Sequence, residues 1–262
     1  MSVDRRAAES LLSFWTDAGV DTLYGEAAVD RMAAPATPGP RALRPELARP
    51  SPRPHSLANA GVGRELAAAA ADLDALAAAI ATYDGCDLKT QGARQAVFGR
   101  GATDAAVVII GEGPGADEDA QGAPFVGRAG RLLDKMLVAA GLEGRVFITN
   151  TVFWRPPGNR TPTVEEQLAC APFLERAIEL VRPKVLLFVG AAAAKSLLDR
   201  SEGILALRGR WFEWRANSIE LEIPALPTLH PAFLLRQPAA KKKVWQDLLL
   251  LAERVDRTER PD

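Results

Sequence analysis

Three segments of the sequence concentrate the residues that could do chemistry. Residues 111–130 read GEGPGADEDAQGAPFVGRAG, residues 150–162 read NTVFWRPPGNRTP, and residues 230–236 read HPAFLLR. Carboxylates and a histidine can act as acids or bases, an amide can recognise a polar ring, and arginines can hold phosphates. The three segments therefore form a candidate ligand site, provided that the fold brings them together.

Each of these segments directly follows a short apolar run at 105–110, 146–149 or 225–229, and a fourth run, 185–189, precedes GAAAAKS. Such runs are typical of parallel strands that are buried on both faces. Helical patterns lie along the same stretch of chain, at 61–82, 128–140, 163–181, 191–199 and 238–256. The alternation predicts a three-layer α/β/α sandwich around a central, mainly parallel four-stranded sheet. Ligands bind at the carboxyl ends of such strands, where the three segments would meet.

The chain divides at a proline-rich stretch. Residues 35–55 include seven of the 19 prolines and are predicted to form an extended linker. Residues 1–34 would form an N-terminal helical arm, and residues 56–262 a single main domain.

Composition limits the class of protein. The formal net charge is -1, 48% of the residues are hydrophobic and 25% are charged, which is typical of a globular protein. No apolar run is long enough to cross a bilayer, and the N-terminus lacks an apolar signal core. Two cysteines exclude a disulfide framework. We therefore expect a cytoplasmic protein without membrane contact, in which any DNA contact depends on local basic patches.

The first segment allows three interpretations. Residues 111–116 fit the pattern of a dinucleotide-binding turn, but the acidic residues 117–119 that follow would repel a pyrophosphate. A turn with no ligand is a second interpretation. In the third, the turn brings Glu112 and nearby backbone against a ligand.

The other two segments favour contact with DNA. Prolines stiffen the loop that carries Arg155 and Arg160, so it is either an ordinary surface turn or a phosphate-binding loop. His230 follows a strand, and Phe233, Leu234 and Arg236 come after it. Apolar residues beside a basic one resemble the wedges that enter stacked bases.

Together the three segments resemble the iron–sulfur uracil-DNA glycosylases of family 4. The patterns of that family read approximately GEAPG-x-x-ED…PFVGRAG, TN-x-V-x-CRPPGNR-x-P and HPS-x-x-LR, and the similarity extends from about residue 83 to 250. The resemblance implies an enzyme of DNA repair that flips uracil out of DNA and hydrolyses its N-glycosidic bond, leaving an abasic site. It implies uracil-containing DNA as the partner, and we expect a monomer.

The resemblance also implies roles for the matching residues. Phe125 would stack on the flipped uracil, and Asn150 would read its edge, with Gly113 and the backbone N–H groups up to residue 115 helping to hold it. His230 would donate to O2 as negative charge develops there, and Glu112 would position the attacking water. Arg155, Arg160, Phe233, Leu234 and Arg236 would contact the DNA.

The resemblance fails at the cluster. The family's four ligand positions correspond to Tyr83, Cys86, Trp154 and Cys170. Because an iron–sulfur cluster usually takes about four thiolates, we predict that no cluster, other metal or organic cofactor is bound. The two aromatic side chains could fill its volume.

Alternatives remain open at this point. Glu118 and Asp119 are second candidates for positioning the water, or they only cap the following helix. A covalent uracil-DNA-binding relative needs a histidine after the second motif, and residues 151–165 contain none. An inactive DNA-binding member of the same superfamily is the other alternative.

Overall fold

The four apolar runs form the parallel centre of a six-stranded sheet. The computed structural model describes residues 54–216 and 220–259. The predicted arm, 1–34, and residues 35–53 of the predicted linker lie outside these ranges. The first helix begins at Pro54, so the last two residues assigned to the linker are helical.

Helices and strands alternate along the described chain. The helices are α1 Pro54–Ala69, α2 Leu73–Thr82, α3 Ala116–Gln121, α4 Arg128–Ala139, α5 Val164–Val181, α6 Ala191–Leu198, α7 Ile204–Leu207, α8 Pro231–Arg236 and α9 Lys241–Glu259. The strands are β1 Gly99–Gly101, β2 Val107–Gly111, β3 Val146–Asn150, β4 Val185–Val189, β5 Phe212–Arg215 and β6 Glu222–Thr228. Within the described ranges, no helix is both long enough and apolar enough to span a bilayer.

The strand order is β1-β3-β2-β4-β6-β5. Strands β3, β2, β4 and β6 are parallel, whereas β1 and β5 add antiparallel edges. The chain moves from β2 to β3 in one direction and then back across to β4. The right-handed rule for such crossovers puts α4 on one face of the sheet and α5 on the other, as a three-layer sandwich requires. The observed sheet confirms the predicted α/β fold with a mainly parallel centre. The reversal beside β2 is the place where open α/β sheets bind ligands.

Two details of the predicted elements are wrong. In the part of the chain that the structure describes, the sheet has six strands instead of four. The two edge strands were not predicted, because β1 is a three-residue Gly-Arg-Gly segment and β5 covers only Phe212–Arg215. The helix expected over 61–82 is two helices. The side chain of Asp72 accepts a hydrogen bond from the amide of Ala75 at 2.8 Å and so begins α2 after a break.

Candidate active site

The carboxyl ends of the four parallel strands open into one pocket. It encloses about 660 Å³, within the usual size of ligand sites. Five residues predicted to recognise or cleave the substrate line it, namely Glu112, Gly113, Phe125, Asn150 and His230. All five predicted DNA contacts lie in the segments that follow these strands, and three of them also line the pocket, namely Arg160, Phe233 and Arg236.

Gly111 and Asn150 are paired residues at the ends of β2 and β3. A Cβ at Gly111 would lie 2.5 Å from Oδ1 of Asn150 and 2.6 Å from Cζ of Phe125. The absence of a side chain there is what lets the amide and the ring approach each other. The first glycine of the motif therefore serves packing within the site.

Replacing Gly111 with alanine is expected to slow the reaction of this site by about tenfold or more, because displacing positioning groups by about 1 Å can cost about 10²-fold. The measurement is the single-turnover rate on the substrate proposed below. Gly61→Ala is the matched control, since a Cβ there meets nothing within 4 Å. An unchanged rate for Gly111→Ala would show that the site tolerates a wider spacing of these two groups.

Glu118 holds the two halves of the first loop together. Its carboxylate accepts hydrogen bonds from the amides of Gly115 at 3.1 Å, Val126 at 3.0 Å and Gly127 at 2.9 Å. Glu118 therefore stabilises the conformation of this loop and is a poor candidate for a water-activating base. Of the three backbone positions expected to hold a ligand, the amide of Gly115 is bound to Glu118, and Pro114 has no N–H. The amide of Gly113 is therefore the candidate donor.

Asp119 is buried and accepts a hydrogen bond from the amide of Arg94 at 2.8 Å. It also lies outside the set of residues that line the pocket. Asp119 therefore fixes the loop that precedes β1. Of the three carboxylates considered for positioning a water, Glu112 lines the pocket and is the best-placed candidate. The carbonyl of Glu112 accepts the hydroxyl of Thr151 at 2.5 Å, which ties the first two motifs together.

His230 is held as a neutral hydrogen-bond donor. Its Nδ1 accepts the amide of Ala232 at 3.1 Å and caps α8, so the ring proton lies on Nε2. Burial, together with the positive charge of Arg236, lowers the pKa of His230 to about 4. Its ring centroid is 5.7 Å from that of Phe125. Ala232 stands where the family pattern HPS-x-x-LR has a serine. The cap does not depend on that side chain, because the backbone amide of Ala232 donates the hydrogen bond.

The arginines of the second motif are partly engaged within the protein. Nε of Arg155 donates to Oδ1 of Asn159 at 2.7 Å. Arg160 donates to both carboxylate oxygens of Glu166, at 2.6 and 2.8 Å. Burial acts to raise the pKa of Glu166, but the bonds from Arg160 and from the Thr163 amide more than offset it and lower that pKa. Both arginines therefore stiffen the loop, and any DNA contact must use their remaining N–H groups.

Leu234 is wrongly assigned among the predicted DNA contacts. It is fully buried in the core, whereas Leu235 is 40% exposed. The turn of α8 points the first leucine inward to anchor the helix. A buried side chain cannot enter DNA unless α8 unfolds, so the exposed apolar residue of this segment is Leu235.

Some pocket residues carried no recognisable pattern. Gly190, Ala191 and Lys195 line the pocket although they belong to the segment after β4 that shows no distinctive chemistry. A Cβ at Gly190 would lie 3.1 Å from Cβ of His230, and its φ is +100°. Only the general rule that all carboxyl strand ends face the site could have identified them.

The four positions of the family's cluster lie together in the core. Tyr83, Cys86, Trp154 and Cys170 are each at most 2% exposed. The thiol of Cys170 donates to Sγ of Cys86 at 3.9 Å, which lowers the pKa of the Cys86 thiol, while burial raises that of Cys170. Within residues 54–216 and 220–259, no group of three or more His, Cys, Asp or Glu could hold a metal ion.

Comparison with known proteins identifies the family of this chain. Residues 98–249 match the model of the uracil DNA glycosylase superfamily. A type-4 uracil-DNA glycosylase of Pyrobaculum aerophilum is 39% identical over 184 residues, covering 68% of this chain and 92% of the relative. One from Thermotoga maritima is 44% identical over 142 residues, covering 53% and 71%. One from Archaeoglobus fulgidus is 36% identical over 187 residues, covering 69% and 92%.

Proposed function

The chain belongs to the uracil DNA glycosylase superfamily, and we propose that its pocket binds a uracil flipped out of DNA and hydrolyses the N-glycosidic bond, leaving an abasic site. The observation that carries the proposal is the convergence of Glu112, Phe125, Asn150 and His230 on one pocket. All four come from a single chain, which supports action as a monomer. A DNA substrate also favours work in the cytoplasm, where a bacterial or archaeal chromosome lies.

Recognition of the base uses stacking and an amide. Phe125 provides an apolar face, and stacking alone accepts any base. Asn150 lines the pocket and is 1% exposed. Its N–H would donate to O4 of uracil and its carbonyl oxygen would accept N3–H. Cytosine presents a donor and an acceptor in the opposite order, so two buried polar groups would face mismatched partners.

Cleavage develops negative charge on uracil and positive charge on the sugar. The Nε2–H of neutral His230 would donate to O2 as the anion forms, and a donor placed for the developing charge is worth more than one placed for the ground state. Glu112 would position the water that attacks C1′ and favour the cationic sugar. Bond breaking sends its electron pair to uracil. The water supplies the hydroxyl left on the sugar, and the proton that it releases balances the charge of the uracil anion.

Uracil-containing DNA incubated with the protein and then with alkali tests the proposal. Strand cleavage after alkali indicates an abasic site and supports excision. A stable shifted band would indicate a covalent uracil-DNA complex, and an untouched strand that still binds would indicate an inactive DNA-binding protein. Contacts from Arg155, Arg236 and Lys241–Lys243 should make binding weaken steeply with salt.

We also propose that this chain works without the family's iron–sulfur cluster. The residues do not fit one, since only two thiols are present where about four are usual. The ring of Tyr83 packs 4.9 Å from that of Phe173, and a Cβ at Gly85 would lie 2.2 Å from the Tyr83 hydroxyl oxygen. We infer that aromatic side chains fill the volume that a cluster would take. The cleavage chemistry described above needs no cluster. A brown protein that contains iron would contradict this proposal.

Replacing both Cys86 and Cys170 with alanine is expected to keep the excision rate within about threefold of the original. The loss of two sulfur atoms should cost about 1–2 kcal/mol of unfolding free energy, as for small core deletions. Single-turnover rates and thermal unfolding measure both. Cluster ligands would behave differently, because their removal would abolish folding or leave the chain insoluble.

A further inference from the structure

The ring of Phe125 is presented by an unusual turn. Phe125 has φ of +54°, a conformation that residues with side chains rarely adopt and keep only when their surroundings fix it. Its carbonyl packs onto the backbone of α4, where a Cβ at Gly130 would lie 1.7 Å from the carbonyl oxygen. Glu118 binds the amides that follow the ring, but the carbonyl side of the turn needs partners of its own.

Arg100, on the edge strand β1, supplies those partners. Its Nε donates to the carbonyl of Pro124 at 2.8 Å, and its Nη2 donates to the carbonyl of Phe125 at 3.1 Å. The same Nη2 contacts Asp134 of α4 at 2.7 Å. The guanidinium therefore joins the edge of the sheet to both carbonyls of the turn and to the next helix.

The two carbonyl bonds matter more than the ion pair. The side chains of Arg100 and Asp134 are 30% and 45% exposed, and ion pairs of that kind contribute little. The carbonyls of Pro124 and Phe125, by contrast, belong to buried residues and accept from a charged donor, which makes stronger hydrogen bonds. A planar guanidinium reaches the two oxygens from two nitrogens held in a fixed fork, whereas a lysine would have to reach both from its single nitrogen, at a greater cost in side-chain freedom.

We propose that Arg100 is a positioning residue for excision, which acts by holding the turn that sets the ring of Phe125 against the flipped base. The proposal rests on the proposed function and on no contact between Arg100 and DNA. Loss of the clamp should let the turn relax and move the ring, so the base is captured less often while duplex binding is unchanged.

A double-mutant cycle tests this. We expect Arg100→Ala to lower the maximal single-turnover rate on uracil-containing DNA by about tenfold, with an unchanged half-saturating protein concentration and unchanged salt dependence. In a Phe125→Ala background the same change should cost less than about twofold, because the ring through which it acts is gone. Arg100→Lys, which keeps the charge and is the milder change, should lose most of the same rate and guards against misfolding of the alanine variant.

Arg145→Ala is the matched control. Arg145 pairs with Asp256 at 3.0 Å, and its side chain is 28% exposed. It directly precedes β3, so it lies at the amino ends of the parallel strands, whereas the pocket lies at their carboxyl ends. Equal losses from Arg100→Ala with and without Phe125 would overturn the proposal, as would a rate equal to that of Arg145→Ala. A raised half-saturating concentration with a weaker salt dependence would instead make Arg100 a phosphate contact. Absence of excision by the unmodified protein would reject the proposed function itself.

Discussion

Replacing His230 with alanine is expected to slow uracil excision by about 10²- to 10³-fold, or about 3–4 kcal/mol of transition-state stabilisation. The reason is that His230 lines the pocket and its Nδ1 accepts the amide of Ala232, so the proton on Nε2 is the one that can be donated to the departing base. The measurement is the single-turnover rate on uracil-containing DNA, with thermal unfolding to confirm the fold.

His230→Asn separates the two uses of the ring. Asparagine is a good N-cap and can still accept the Ala232 amide, but it is too short to place a donor where Nε2 lies. We expect its rate to be as low as that of His230→Ala and its stability to be closer to the original. Recovery of the rate in His230→Asn would mean that the histidine acts only by capping α8.

The low pKa of His230 has a consequence for stability. With the folded pKa at about 4 and the unfolded pKa at about 6.5, the unfolded chain binds a proton in this window that the folded chain does not. The folded protein is therefore destabilised as the pH falls from about 6.5 towards 4. His230→Asn should lose less thermal stability between about pH 7 and 5 than the original chain. An equal loss in both would show that other groups set the acid sensitivity.

Replacing Asn150 with alanine is expected to slow uracil excision by about 10²-fold or more, because two hydrogen bonds to the base edge are lost in a buried site. The residue is 1% exposed, so water cannot easily take the place of the amide. The single-turnover rate on uracil-containing DNA measures the loss, and salt-dependent binding of undamaged DNA should be unchanged.

Asn150→Asp is the control for shape. The carboxylate has nearly the volume of the amide but cannot donate to O4 when ionised. We expect it to lose as much rate as Asn150→Ala while the protein stays folded. If Asn150→Asp kept most of the rate, the side chain would serve packing against Gly111 and Phe125, and base recognition would have to lie elsewhere.

Much of the fold followed from local pattern. The four central strands and the helices predicted over 128–140 and 163–181 are present. They could be predicted because buried parallel strands and capped helices have strong sequence signals. The edge strands could not be predicted, since three- and four-residue strands have too few residues to show a period. The helix break at Asp72 was also missed, because the apolar spacing continues across it.

The members of the pocket could be predicted from residue type and from their position after a strand. Their contacts are known only from the tertiary structure. Glu118 and Asp119 are acidic residues of the first loop, and only the structure shows that backbone amides bind their carboxylates. Leu234 and Leu235 are identical in type, and the direction of α8 buries one and exposes the other.

The amino acids by themselves determined the four central strands, the chemical groups at their ends and the shortage of thiols for a cluster. Each of these depends on composition or short-range spacing. The tertiary structure decided that the segment after β4 joins the pocket, that His230 lies beside Phe125, and that Arg100 binds the turn of Phe125. Those features depend on burial and on contacts between residues far apart in the chain, for which a linear sequence has no local signal.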